Sequence, residues 1–92
     1  MLTKRSVLVI YDVEETKVRN KVVKEIESYG VRVQKSAFEC YLDDSGLNKL
    51  IDRIRRIIGE DDSIRVYNPG GMCYDLVADK YVELYSPKTV IV

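Results

Sequence analysis

One carboxylate stands out by its place in the chain. Asp12 follows Val7-Leu8-Val9-Ile10-Tyr11, the most apolar run in the sequence, and a basic stretch begins shortly after it. A carboxylate at the end of a rigid strand is suited to ligating a metal or to capping a turn or helix. One carboxylate does not hold Mg²⁺ unaided, because that ion takes about six oxygens in octahedral geometry. Lys17, Arg19, Lys21, Lys24, Arg32 and Lys35 supply the opposite charge. Between residues 17 and 35 six basic residues stand against two acidic ones, Glu25 and Glu27, a local balance of +4. Such a stretch either contacts phosphates, with arginine making the bidentate contacts, or forms a solvated helix face. Arg53, Arg55 and Arg56 form a second cluster, flanked by Asp52 and Glu60, and read as a solvated face.

Other chemistries are excluded by what the chain lacks. It has no His, which removes histidine triads, histidine general bases and histidine zinc sites. Hydrolysis would rest on carboxylates, Lys, Arg, Tyr or a bound metal, and no residue stands out as a general base. Cys40 and Cys73 form no C-x-x-C pair and are too few for a disulfide framework, so a reduced, cytoplasmic compartment is expected. Cys40 and Phe38 read as core residues. Asn68-Pro69-Gly70-Gly71 has no Gly-Lys-Ser/Thr after it, so it is a turn and not a phosphate loop.

The elements that must position these residues follow from hydrophobic spacing. Val7 to Tyr11 predicts a central strand. Val18, Val22, Ile26 and Tyr29 share one helical face, opened by Glu14 or Thr16 and closed by Gly30 as a left-handed cap. Val31 and Val33 alternate on odd positions, Phe38, Cys40 and Leu42 on even ones. The parity change predicts a turn or bulge near Lys35-Ser36. Leu47, Leu50, Ile51, Ile54, Ile57 and Ile58 predict a second helix, capped by Asp44 or Ser45 and followed by Gly59. Ile64 and Val66 mark a further strand. Residues 72–85 read equally as helix or strand, and Thr89-Val90-Ile91-Val92 reads as a final strand after Pro87.

The order β-α-β-β-α-β with an extra C-terminal strand predicts an α+β, ferredoxin-like sandwich with two helices on one face of an antiparallel sheet. With 92 residues, 46% hydrophobic and 33% charged, residues 1–92 are expected to form a single domain with one core. The other sheet face has no helix to cover it, and Tyr11, Tyr41 and Tyr67 add apolar surface near the strand ends. A homodimer is therefore expected, with residues 86–92 swapped onto the partner's sheet. Lys+Arg and Asp+Glu are 15 each, so the chain is neutral overall and nucleic acid would have to meet a local patch. No apolar run approaches the roughly 20 residues of a membrane span, and the N-terminal run is too short for a secretory leader.

Four segments carry a family likeness. Val9-Ile10-Tyr11-Asp12-Val13, Lys17-Val18-Arg19-Asn20-Lys21-Val22 and Tyr29 to Cys40, with Asp62-Ser63-Ile64-Arg65-Val66-Tyr67, resemble the small CRISPR-associated adaptation nuclease family, the second of the Cas proteins. The likeness covers roughly residues 6–67, and Tyr-Gly-x-Arg-Val-Gln-x-Ser-x-Phe-Glu-Cys is its most specific part. It implies a ferredoxin-like homodimer with Mg²⁺ or Mn²⁺ between paired aspartates, here Asp12 of each chain. It implies endonuclease activity on RNA or DNA, and partnership with the CRISPR integrase in antiviral spacer acquisition. Arg19, Arg32, Ser36 and Phe38 match family positions, while Lys21 stands where some members carry Arg. Asp12, Arg19 and Arg32 are thus the expected catalytic residues, with Asp12 as metal ligand. Lys17, Arg19, Lys21, Arg32 and Lys35 are the expected nucleic-acid contacts. Two other readings fit the same residues: a non-catalytic DNA-binding scaffold, and a small-molecule regulatory module on the same fold.

Overall fold

The apolar run near the N-terminus forms β1, Arg5–Asp12, with strands on both of its edges. The computed structural model describes residues 4–68, 72–75 and 79–83. After β1 come α1 (Thr16–Glu27), β2 (Gly30–Gln34), β3 (Ala37–Leu42), α2 (Asp44–Arg55) and β4 (Ser63–Tyr67). These four strands form one sheet in the order β2-β3-β1-β4, with every neighbouring pair antiparallel. This is the expected ferredoxin-like arrangement. The segment that read as either helix or strand forms β5 (Met72–Asp75) and β6 (Lys80–Glu83), a separate two-stranded sheet. Asp79, just before β6, sits at φ 55°, a left-handed conformation that Asp tolerates better than most residues. The expected C-terminal strand lies outside the described residues.

Alternation along the strands decides which face each side chain takes. Val7, Val9 and Tyr11 of β1 and Phe38, Cys40 and Leu42 of β3 point to the helices. There they meet Val22 and Ile26 of α1 and Leu50 and Ile54 of α2. Tyr11 therefore belongs to this core, 2% exposed, and not to the open face where the sequence grouped it with Tyr41 and Tyr67. It is placed there because its neighbours in register, Ile64 and the Val9–Phe38 pair, have the same parity. The opposite face has no helix. Cross-strand pairing puts Leu8, Ile10, Val31, Tyr41 and Tyr67 on it, together with Glu39 and Arg65.

Local signals differ from expectation in three places. The cap of α2 is Asp43, whose side chain accepts the Gly46 N–H at 2.7 Å, and not Asp44 or Ser45. Helix α1 starts at Thr16 from Glu15, which makes no side-chain cap. Gly30 is not a left-handed cap: Ser28 closes α1 in the right-handed region and Gly30 begins β2 opposite Cys40. The parity change is resolved by a two-residue turn at Lys35-Ser36, with a register shift between Arg32 and Gln34. Neither turn residue has a positive φ, so the turn lacks the primed geometry that matches strand twist. The bulge at Val33 absorbs that mismatch.

Candidate active-site cleft at the end of β1

The cleft is assembled by two connections that meet near Asp12, the β1–α1 loop and the β2–β3 turn. Asp12 is the last residue of β1, exposed, and paired with Ser63 of β4. Its side chain has the parity of Leu8 and Ile10, which puts it on the helix-free side of the rim. The β2–β3 turn is stapled against this strand end. The Tyr11 hydroxyl donates to the Lys35 carbonyl at 3.0 Å, and the Tyr11 N–H donates to the Ser36 carbonyl at 3.0 Å. Tyr11 thus serves the site by fixing the turn that carries Lys35 and Ser36, a role the sequence did not reveal.

The β1–α1 loop is held from inside. Arg19 Nη1 donates to the carbonyls of Val13 at 3.1 Å and Glu14 at 3.2 Å, and Nη2 donates to Thr16 Oγ1 at 3.3 Å. Its guanidinium is therefore occupied by the loop that follows Asp12. Arg32 stands over the Phe38 ring, 5.5 Å from its centroid, and Phe38 in turn meets Tyr11 at 6.1 Å. The aromatic face attracts the cation and restricts its rotamers without neutralising it.

These groups line one cleft of about 490 Å³, to which Asp12, Glu14, Arg19, Arg32, Lys35 and Ser36 contribute. Four of the expected site residues meet here: Asp12, Arg19, Arg32 and Lys35. Lys17 and Lys21 are exposed on α1 and stand outside the lining. Glu14 is an additional carboxylate in the cleft, and nothing in its spacing distinguished it from a loop residue. Among the described residues no three His, Cys, Asp or Glu side chains gather in a metal-binding group. Asp12 and Glu14 are the two carboxylates among the residues that line this cleft.

Cys40 lies far from this chemistry in character. Burial pushes its thiol from 9.0 up to about 12, because the thiolate would lose its hydration. Cys40 in the folded protein is expected to resist alkylation at pH 8 until denaturant is added, as followed by mass spectrometry of its peptide. The raised value also sets a sign. The unfolded chain loses this proton first, so the contribution of Cys40 to stability is intact below pH 9 and declines as pH rises towards 12.

Among the described residues no helix is long and apolar enough to cross a membrane. Comparison with known proteins agrees with the fold. The sequence model of the family described as CRISPR associated protein Cas2 matches residues 5–77. A CRISPR-associated endoribonuclease Cas2 of Mycobacterium tuberculosis is 42% identical over 69 residues, 75% of this chain and 61% of that protein. The chain thus spans less than two thirds of the length of that relative. A CRISPR-associated endonuclease Cas2 of Thermus thermophilus is 42% identical over 69 residues, 74% of this chain and 77% of its own length. In structure, a hypothetical protein of Thermus thermophilus superposes with a TM-score of 0.77 at 40% identity, over 80% of this chain and 92% of that one. Streptococcus pyogenes Cas2 superposes with a TM-score of 0.62 at 40% identity, over 71% of this chain and 86% of that one. With the family match across most of its length and the relatives sharing its sheet, this chain belongs to the CRISPR associated protein Cas2 family.

Proposed function

We propose that the protein is a dimeric, metal-dependent phosphodiesterase acting on RNA or DNA, working with the CRISPR integrase in spacer acquisition. The observation that carries this reading is the cleft itself, which is lined by Asp12, Arg32 and Lys35 at one strand end. The names of the relatives, endoribonuclease and endonuclease, support the same reaction class.

The dimer follows from the uncovered face. Ile10, Val31 and Tyr67 are each about 40% exposed there, an apolar surface that a second copy would bury. Asp12 shares that face, so two sheets stacked about a twofold axis would bring both Asp12 carboxylates to the interface. The pair would hold one Mg²⁺ or Mn²⁺, which supplies positive charge to a phosphoryl oxygen and acidifies a bound water. Arg32, held on the Phe38 ring, stabilises charge on the phosphoryl group as its bonds change. Lys35, on the stapled turn, binds the neighbouring phosphate. Arg19 keeps the loop after Asp12 in shape. The outer edge of β4 has no partner strand among the described residues and adjoins a cleft lined by Ile51, Ile54, Ile58, Ile64 and Val66. The partner's residues 89–92 would add to that edge, which removes an open strand from the surface.

Cleavage of labelled RNA and duplex DNA, with Mg²⁺ and then with EDTA, tests the reading beside sedimentation at micromolar protein. Cleavage that EDTA abolishes, from a dimer, is the expected result. A folded monomer, or cleavage indifferent to EDTA, would overturn it.

A further inference from the structure

The arginine cluster at the end of α2 divides into two parts. Arg53 is engaged: its Nη1 lies 3.3 Å from Glu25 Oε1 and ties α2 to α1. Arg55 and Arg56 are exposed and form no ion pair among the described residues. Their place in the fold is informative. Arg55 lines the cleft between α2 and β4 together with Ser63, and Ser63 is the residue paired with Asp12. The two arginines therefore stand at the Asp12 end of the sheet. Lys17 and Lys21 stand at the same end, because α1 begins at Thr16 just after Asp12.

Charge in this neutral chain is segregated to the helix layer. Helix α1 carries four basic side chains against two acidic ones, and residues 44–56 carry the same. One of the α1 cations is already engaged, since the Arg19 guanidinium donates to the carbonyls of Val13 and Glu14. The helix cations at this end that form no ion pair among the described residues are Lys17, Lys21, Arg55 and Arg56. They lie on the helix side, opposite the face that dimerisation would cover, so they stay open to a ligand in the dimer.

We propose that Arg55 and Arg56, with Lys17 and Lys21, form a phosphate-binding rail on the helix layer, which carries the stretch of nucleic acid flanking the Asp12 cleft. The proposal rests on the nucleic-acid reading above and extends it to a surface outside the cleft. Two separate phosphate contacts make binding steeper in salt, since each releases counterions. The competing role is local: cations in the last turn of a helix also complement its dipole, which affects stability and not binding.

Binding of labelled duplex DNA, titrated at several salt concentrations, separates these roles. In the Arg55→Gln/Arg56→Gln double variant the slope of log K against log salt is expected to fall in magnitude by about 1.8 for each protomer on the duplex. Lys49→Gln removes a charge from the middle of the same helix, short of its Asp12 end, and is expected to leave the slope alone. An unchanged slope in the double variant overturns the rail, and an unchanged slope with a lowered melting temperature assigns the arginines to the helix dipole instead. Arg32→Ala/Lys35→Ala distinguishes the two levels of the argument. Loss of binding there, with the Arg55/Arg56 slope intact, refutes the rail and keeps the cleft. Absence of duplex binding by the unaltered protein refutes both.

Discussion

Replacing Asp12 with asparagine is expected to abolish metal-dependent cleavage while leaving nucleic-acid binding and the fold in place. The side chains have nearly the same shape, and Asp12 is exposed at a strand end, so the change should move stability by no more than about 0.5 kcal/mol. The chemistry loses far more. Asparagine carries no charge to offset a divalent cation, and the twofold site would lose both of its carboxylates at once. Even partners of metal ligands cost roughly 10–100-fold on mutation, so a fall beyond about 100-fold is expected here. Without metal, two nearby carboxylates repel each other, so the asparagine dimer should be no weaker than the original in EDTA. The measurement is single-turnover cleavage in Mg²⁺ beside duplex binding and a spacer-integration assay. Persistent cleavage would remove Asp12 from the site. Lost cleavage with intact integration would make the catalytic role dispensable and favour the scaffold reading.

Replacing Gly30 with alanine is expected to be among the most destabilising single changes in the chain. A Cβ at this position would run into the Glu39 carbonyl oxygen and come within 2.6 Å of the Cys40 Cα. Both obstacles are backbone of the central β3 strand, which no rotamer change can move. Overpacking typically costs about 1–3 kcal/mol, and a clash with sheet backbone belongs at or above the upper end of that range. At roughly 4–8 °C per kcal/mol for a domain of this size, the melting temperature should fall by about 12 °C or more. Gly59→Ala is the matched control. Its Cβ would meet only Asp62 Oδ2 at 3.8 Å, and its backbone is outside the left-handed region. It should be neutral or raise stability by about 0.4–1 kcal/mol through the unfolded chain. Thermal melts of both variants decide the matter, and equal melting temperatures would refute the steric argument.

Spacing made the core legible but not the close approaches. The run Val7 to Tyr11 predicts a central strand and the even positions of Phe38, Cys40 and Leu42 predict one face, and the structure reproduces both, because strand alternation is a local property. The helix stripes through Val22, Ile26, Leu50 and Ile54 were legible for the same reason. Gly30 was misread as a helix cap because the feature that demands glycine is a neighbouring strand, far along the sequence. Tyr11 was placed on the open face because its terminal position says nothing of its hydroxyl, which is needed by Lys35. At the site, charge type and Asp12 could be read directly. The inward turn of Arg19 could not, since a solvated arginine and one bonded to loop carbonyls have the same sequence signature.

The central position of β1 has a consequence for synthesis. It is made first, yet its two edges are completed only by Ala37–Leu42 and then by Ser63–Tyr67. Pairings this distant in sequence form slowly, because loop closure precedes any reward from contact. At roughly 5–20 residues per second, the nascent chain carries Val7 to Tyr11 for several seconds before β4 exists to cover its second edge. A chain stopped before residue 63 would keep one side of its most apolar strand unpaired, which makes premature termination products the form most prone to aggregate.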